Sequence, residues 1–175
     1  ICAVGFADEY DPSYEYYSSG NSSYEIGFTS KASLTIEDLH GLINGLQKPS
    51  IENLLPELKK KDPNMFNDYV AMYGSRSLQG STFQSPRILL TSKRAEMILS
   101  FNGDASLKGY NELEVMYFDR QKSSFNFQEI AFENGKVTYS AVNPKKCLAC
   151  HQSPYRKGAD PRPNWEAYNV WPGAY

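Results

Sequence analysis

The chain has 175 residues with a formal net charge of −2, and 41% of its residues are hydrophobic. This length predicts one domain, or one domain with an appended segment, and the hydrophobic content is sufficient for a core. A charge so close to neutral gives no electrostatic basis for binding nucleic acid or an anionic membrane surface. No stretch approaches the roughly 20 apolar residues that span a bilayer, so no transmembrane segment is expected.

The first part of the chain, residues 1–30, is predicted to be an N-terminal extension. Its residues 1–7 are apolar and end abruptly at an acidic stretch. Gly5 and Ala7 are small residues of the kind that precede a signal-peptide cleavage site, so the segment is either the remnant of such a peptide or a buried first strand. Cys2 is left over once the other two cysteines are paired, and removal with a signal peptide would explain it most simply.

Helical patterns come next in the chain. The clearest helix covers residues 35–47, where Thr35 and Asp38 have the spacing of a capping box. Pro56 is expected to be the first residue of a further short helix, because proline is tolerated in the first helical turn. The apolar spacing of residues 64–73 predicts another short helix.

Five runs of β type follow, with tight turns between them. They cover residues 86–90, 95–101, 113–118, 125–132 and 136–141. Asn134-Gly135, between the last two runs, is a strong hairpin signal. Short strands with tight turns and no intervening helix indicate an antiparallel sheet. The expected fold class is therefore α+β, with short helices and then about five antiparallel strands over residues 31–142.

The sequence Cys147-Leu148-Ala149-Cys150-His151 has the form C-x-x-C-H. Two thiols one helical turn apart can reach the two vinyl groups of a porphyrin, and the imidazole that follows them can bind its iron. The motif therefore predicts one covalently attached haem c, held by Cys147 and Cys150, with His151 as the proximal iron ligand. Residues 143–175 are accordingly interpreted as a haem-binding segment packed on the preceding domain.

Three other sites compete for the same cysteines. A structural disulfide would leave His151 without a purpose. A thioredoxin-like redox pair is expected at a strand-to-helix junction within a βαβ unit, which the predicted sheet lacks. A zinc site would need a fourth ligand, for which His40 and Cys2 are the remaining candidates.

The sixth iron ligand is left open by the sequence. No Met, His or Cys follows His151 in this sequence, so neither the downstream methionine ligand nor the all-α fold of the class I cytochromes c is expected. The upstream candidates are His40, Met65, Met72, Met97 and Met116. Met116 is of interest because it lies on the strand face opposite Val115, and His40 because it borders the apolar face of the first helix. An open sixth position is the further alternative.

Aromatic and basic residues follow the motif. Trp165, Tyr168 and Trp171 recur every three residues, and aromatic rings are well suited to burying a flat apolar disc. Trp165 and Trp171 are therefore expected to contact the haem, the alternative being that they clamp the tail onto the sheet. Arg162 is expected to pair with a haem propionate through charge-assisted hydrogen bonds.

Several stretches together resemble a group of exported bacterial proteins that carry a single c-haem motif. They are residues 75–80, 85–90 and 101–103, the C-x-x-C-H motif, and then Arg162-Pro163-Asn164-Trp165 and Trp171-Pro172-Gly173. The resemblance implies a bacterial origin and export, and it implies no particular activity. It supports only the two cysteines and the histidine of the motif as haem residues. The order of elements has a looser likeness to exported PAS-type sensor domains that carry haem c near their C-terminal end.

These observations predict a periplasmic or otherwise exported monohaem c-type cytochrome that transfers electrons to or from a redox partner protein. The alternative is a haem-based sensor or small-ligand-binding domain. A peroxidase-type enzyme is less favoured, because it needs distal groups for which Arg76, Arg87 and His40 are the notable candidates.

Overall fold

The computed structural model describes residues 34–67, 69–74, 77–152 and 162–163. Three α-helices and six β-strands lie within these residues. The helices are α1 (Ile36–Asn44), α2 (Ile51–Lys61) and α3 (Lys145–His151), and the strands are β1 (Tyr69–Met72), β2 (Arg87–Thr91), β3 (Met97–Phe101), β4 (Glu112–Asp119), β5 (Ser124–Glu133) and β6 (Lys136–Tyr139). The predicted α+β class is thereby confirmed, and these residues do not form an all-α fold.

The six strands form one antiparallel sheet in the order β1-β2-β3-β4-β5-β6. Each strand pairs with its neighbours in the sequence. The connections from β2 to β3, from β4 to β5 and from β5 to β6 are short, as predicted, whereas residues 73–86 and 102–111 form longer connections. Asn134 and Gly135 form the two-residue loop between β5 and β6, where Glu133 pairs with Lys136. The sheet has one strand more than the five expected.

The additional strand is β1, and the helix predicted over residues 64–73 was wrong. Only residues Pro63–Phe66 of this stretch are helical, as a single 3-10 turn. Tyr69 and Val70 favour extended backbone, and β1 pairs with β2 along the edge of the sheet. The apolar residues of two short elements had together produced an apparent helical spacing.

The predicted capping box is confirmed, because the Thr35 hydroxyl accepts from the Asp38 backbone N–H and the Asp38 carboxylate accepts from that of Thr35. The predicted helix start at Pro56 was wrong, because α2 is continuous from Ser50, its N-cap, to Lys61. A proline inside a helix costs one backbone hydrogen bond. Here the residues buried on both sides of the proline, Ile51, Leu54 and Leu58, keep the helix in one piece.

The sheet separates two apolar layers. The larger layer packs α1 and α2 against one face of the sheet, which contributes residues such as Leu99 and Ile130. Alternate strand residues point to the other face, where Ile98, Met116 and Phe127 form a smaller cluster. Cys147 and Leu148 of α3 pack against this smaller cluster, so α3 lies on the face opposite α1 and α2.

Candidate functional site

The start of α3 is fixed to the sheet by Asn143. Its side-chain oxygen accepts a hydrogen bond from the Phe127 N–H at 2.8 Å, and its own N–H donates to the Phe127 carbonyl oxygen at 2.7 Å. The Asn143 backbone has a φ of 58°, a left-handed conformation that asparagine tolerates better than most residues. Pro144 then adopts an extended conformation as the N-cap. This turn directs the motif helix back over the sheet face that carries Phe127.

Two contacts hold α3 against the sheet. The Lys146 ammonium lies 2.5 Å from one carboxylate oxygen of Glu129, a β5 residue whose side chain is only 9% exposed. The other oxygen of Glu129 is buried without a hydrogen-bond partner. The ion pair with Lys146 is therefore the main interaction that stabilises this carboxylate. At the end of the helix, the His151 ring stacks on that of Phe127 with centroids 4.4 Å apart.

A cleft lies between α3 and the sheet, with a cavity volume of about 120 Å³. Cys147, Cys150 and His151 all line it, so the structure brings the three predicted haem residues to one place. The sheet contributes apolar side chains to the cleft, namely Met72, Leu89, Ile98, Met116 and Phe127. This surface can cover an apolar group that is attached to the motif.

A partly buried polar cluster lines the same cleft. The Arg87 guanidinium lies 2.5 Å from a carboxylate oxygen of Glu114, and the Ser77 hydroxyl donates to Glu114 at 3.0 Å. The side-chain oxygen of Gln79 accepts from Arg87 and from Ser100, both at 3.0 Å. Burial raises the pKa of Glu114, although the Arg87 charge acts in the opposite direction.

The two thiols of the motif differ in their surroundings. Cys147 is half-buried and Cys150 is exposed, and neither forms a disulfide. Burial, assisted by the negative charges of Glu129 and Glu114, raises the pKa of Cys147 to about 12. A redox-active cysteine of the thioredoxin type has a lowered pKa, because the thiolate is the nucleophile. The environment of Cys147 therefore disfavours that alternative.

His40 lies apart from the cleft. Its Nε2 atom is 2.8 Å from the side-chain oxygen of Gln128, and its ring packs edge-on against Tyr139 at a centroid distance of 4.7 Å. His40 belongs to α1, on the helical side of the sheet, and does not line the cleft, although its partner Gln128 does. The structure therefore does not bring this candidate sixth ligand near His151, and its contacts are those of a packing residue.

Arg162 lies near the turn between β4 and β5, where its guanidinium donates to the Ser123 carbonyl oxygen at 2.9 Å. The carbonyl oxygen of the next residue, Pro163, accepts from the Phe125 N–H at 3.1 Å. The predicted pairing of Arg162 with a propionate stays a prediction. Cys2, Arg76, Trp165 and Trp171 lie outside the described residues.

The residues of the cleft fit a haem c in chemistry. Both thiols are free and face one cleft with the histidine, and the cleft has an apolar wall. Its volume is below the roughly 300 to 1,000 Å³ of typical ligand pockets, so a porphyrin would extend through the open side into solvent. No three His, Cys, Asp or Glu side chains of the described ranges come together as a metal site. A haem iron needs no such group, because the porphyrin supplies four of its ligands.

Three partners of the motif were not predicted from the sequence, namely Phe127, Glu129 and Lys146. The alternation in β5 could have placed Phe127 and Glu129 on one face, but nothing local indicated that α3 would cover that face. Asn143-Pro144 was the available signal, because it follows the last strand and reverses the chain.

Comparisons of the chain with family models, with curated proteins and with solved structures found no match. Among the described helices, none is long and apolar enough to cross a membrane.

Proposed function

We propose that the protein is a monohaem c-type cytochrome that transfers electrons outside the cytoplasm. The observation that carries this proposal is the position of the C-x-x-C-H motif: all three of its functional side chains line one cleft against an apolar sheet surface. A disulfide role for the cysteines would require neither the histidine in the cleft nor that surface, and a zinc site would not require the apolar surface.

The thiols of Cys147 and Cys150 would each add across one vinyl group of the porphyrin. In this addition a sulfur–carbon bond forms, the thiol hydrogen passes to the neighbouring carbon, and the vinyl double bond becomes a single bond, so no oxidant is consumed. His151 would supply the proximal nitrogen ligand. Before any haem is attached, the imidazole stacks on the Phe127 ring, and the two ring centroids are 4.4 Å apart.

Electron transfer is the function that best fits such a site. Haem supplies the one-electron chemistry, and the protein sets the potential through the axial ligands and the burial of the group. The apolar cleft wall would favour the oxidation state of the haem iron that gives the group the lower net charge. Cys150 lines the cleft and is exposed to solvent, so a haem edge near it would be accessible to a redox partner protein. Such a partner and a periplasmic or otherwise exported location are part of the proposal.

The test is a redox titration of the full chain produced with a cytochrome maturation system. We expect haem absorbance that changes reversibly between oxidised and reduced spectra with a single midpoint. The Cys147→Ala/Cys150→Ala double variant should carry no covalent haem, while a Cys-retaining control such as Lys136→Gln should behave as the wild type. Absence of haem absorbance in the wild type would contradict the proposal.

A haem-based sensor or ligand-binding domain is the second candidate. The observation that favours it is the partly buried polar cluster of Arg87 and Glu114, which lines the cleft and could interact with a small ligand on the iron. It predicts that the ferrous protein binds carbon monoxide or nitric oxide rapidly. Slow or undetectable binding would favour electron transfer.

A further inference from the structure

The structure sorts the four methionines of the chain into two groups. Met65 and Met97 are buried in the core between the sheet and the helices. Met72 and Met116 line the cleft together with the motif. Only the second pair lies on the same side of the sheet as His151, so the candidates for a methionine ligand are reduced from four to two.

Met116 is paired with the residue on which the histidine stacks. Its Cα pairs across the strands with that of Phe127, and directly opposed residues have side chains about 5 Å apart on the same face. The Phe127 ring in turn stacks on His151. Met116 also belongs to the small cluster against which Cys147 packs. It is therefore close to both the proximal ligand and one attachment site.

Met72 lies at the far end of the cleft. It is on the edge strand β1, three strands from β4, and strands are roughly 4.8 Å apart. Met116 pairs with Ile98, which pairs with Thr91. Along the strand direction, Met72 is four residues away from this row of paired residues, which is roughly 13 Å. Met72 is thus a cleft methionine that is distant from His151, which makes it a matched control.

The other iron-binding side chains that line the cleft in the described residues are already engaged. Lys146 is ion-paired with Glu129 at 2.5 Å, which holds its ammonium in the protonated form. Glu114 is bound by Arg87 and by Ser77. A thioether is neutral and has no competing hydrogen bond to lose, and the flexible methionine side chain can adjust to a ligand position.

We propose that the Met116 sulfur is the sixth iron ligand, opposite His151. The inference rests on the proposed function, since it requires the haem. It makes the site a His/Met pair formed by one helix and the facing strand, in contrast to the class I cytochromes c, whose methionine follows the motif in the sequence. Methionine ligation raises the reduction potential relative to a second histidine.

The experiment is proton NMR of the reduced holoprotein, with Met116→Leu and Met72→Leu as a matched pair. Each exchange conserves volume and is well tolerated in apolar surroundings. A methionine bound to haem iron has its methyl resonance strongly shifted upfield by the porphyrin ring current. We expect this resonance in the wild type and in Met72→Leu, and its loss in Met116→Leu. The Met116→Leu protein should also gain rapid carbon monoxide binding.

The outcomes separate this inference from the proposed function. Covalent haem without an upfield methionine methyl in the wild type would overturn Met116 ligation and leave the cytochrome assignment intact. Loss of the resonance in Met72→Leu, and not in Met116→Leu, would also overturn it. As a second variant, Met116→His should keep a six-coordinate low-spin iron without the methyl signal, and a high-spin spectrum would count against this position.

Discussion

The residues Cys147 and Cys150 are one helical turn apart, yet the structure places them in different chemical environments. Cys147 packs on the apolar cluster of the sheet and its pKa is raised to about 12, chiefly by burial. Cys150 is exposed to solvent. Since alkylating reagents react with the thiolate, the two residues should differ in reactivity before any haem is attached.

We predict that iodoacetamide at pH 8 modifies Cys150 at least roughly tenfold faster than Cys147 in the haem-free folded protein. The measurement is the rate of alkylation of each cysteine by peptide mass spectrometry. The same reaction in concentrated urea is the control and should abolish the difference. Equal rates in the folded protein would show that the environment described for Cys147 is wrong.

Glu114 makes the stability of the protein depend on pH. Its pKa is raised above the ordinary value of 4.5 because burial outweighs the attraction of Arg87, and the nearby Glu129 acts in the same direction as burial. The folded protein therefore binds this proton more tightly than the unfolded chain. The resulting stabilisation is complete below pH 4.5 and is lost as the pH rises through the raised pKa.

The isosteric variant Glu114→Gln tests this pH dependence of the stability, because its amide mimics the protonated acid at every pH. We predict that the free energy of unfolding of the wild type, relative to that of Glu114→Gln, falls as the pH rises from about 4 to about 7. Urea denaturation at both pH values measures it, and groups unaffected by the substitution cancel in the difference. A constant or rising difference would contradict a raised pKa.

At the scale of the elements, the β5–β6 hairpin depends on two residues with positive φ. Asn134 has a φ of 50° and Gly135 a φ of 72°, the backbone conformation of the two-residue turns that match the twist of antiparallel strands. An alanine Cβ at Gly135 would meet no other atom within 4 Å, so any cost of substitution comes from the backbone conformation alone.

We predict that Gly135→Ala lowers the free energy of unfolding by about 1 to 2 kcal/mol, the cost of a left-handed backbone for an L-residue. Gly103 is the matched control: it also lies in a loop and also has nothing within 4 Å of an added Cβ, but its φ is not positive. Gly103→Ala should change the stability by less than about 0.5 kcal/mol. Urea denaturation measures both, and equal losses would contradict the prediction.

Elements with strong local signals could be predicted from the sequence. The capping box of Thr35, the hairpin at Gly135 and the alternation in β4 were each fixed by neighbouring residues. Strand β1 and the continuity of α2 through Pro56 could not be predicted, because each depends on tertiary contacts. Strand β1 forms because it pairs with β2, and α2 continues through Pro56 because Leu54 and Leu58 are packed on either side of it.

At the scale of the whole molecule, the two faces of the sheet have different surroundings. One face packs on α1 and α2 and contains most of the buried apolar residues. The other face is covered by α3 and carries the cleft. The C-x-x-C-H motif could be recognised from the sequence alone, whereas Met116 was one of five upstream candidates for the sixth ligand. The Arg87–Glu114 pair could not, because its members are 27 residues apart and meet only through the strand register.

The most direct test of the account is the intact mass of the denatured full chain, made by its native host or with a cytochrome maturation system. We predict the mass of the polypeptide plus one haem, since thioether bonds to Cys147 and Cys150 survive denaturation. The Cys147→Ala/Cys150→Ala variant from the same cells should have the mass of the polypeptide alone. A wild-type protein with only the polypeptide mass would contradict the central claim.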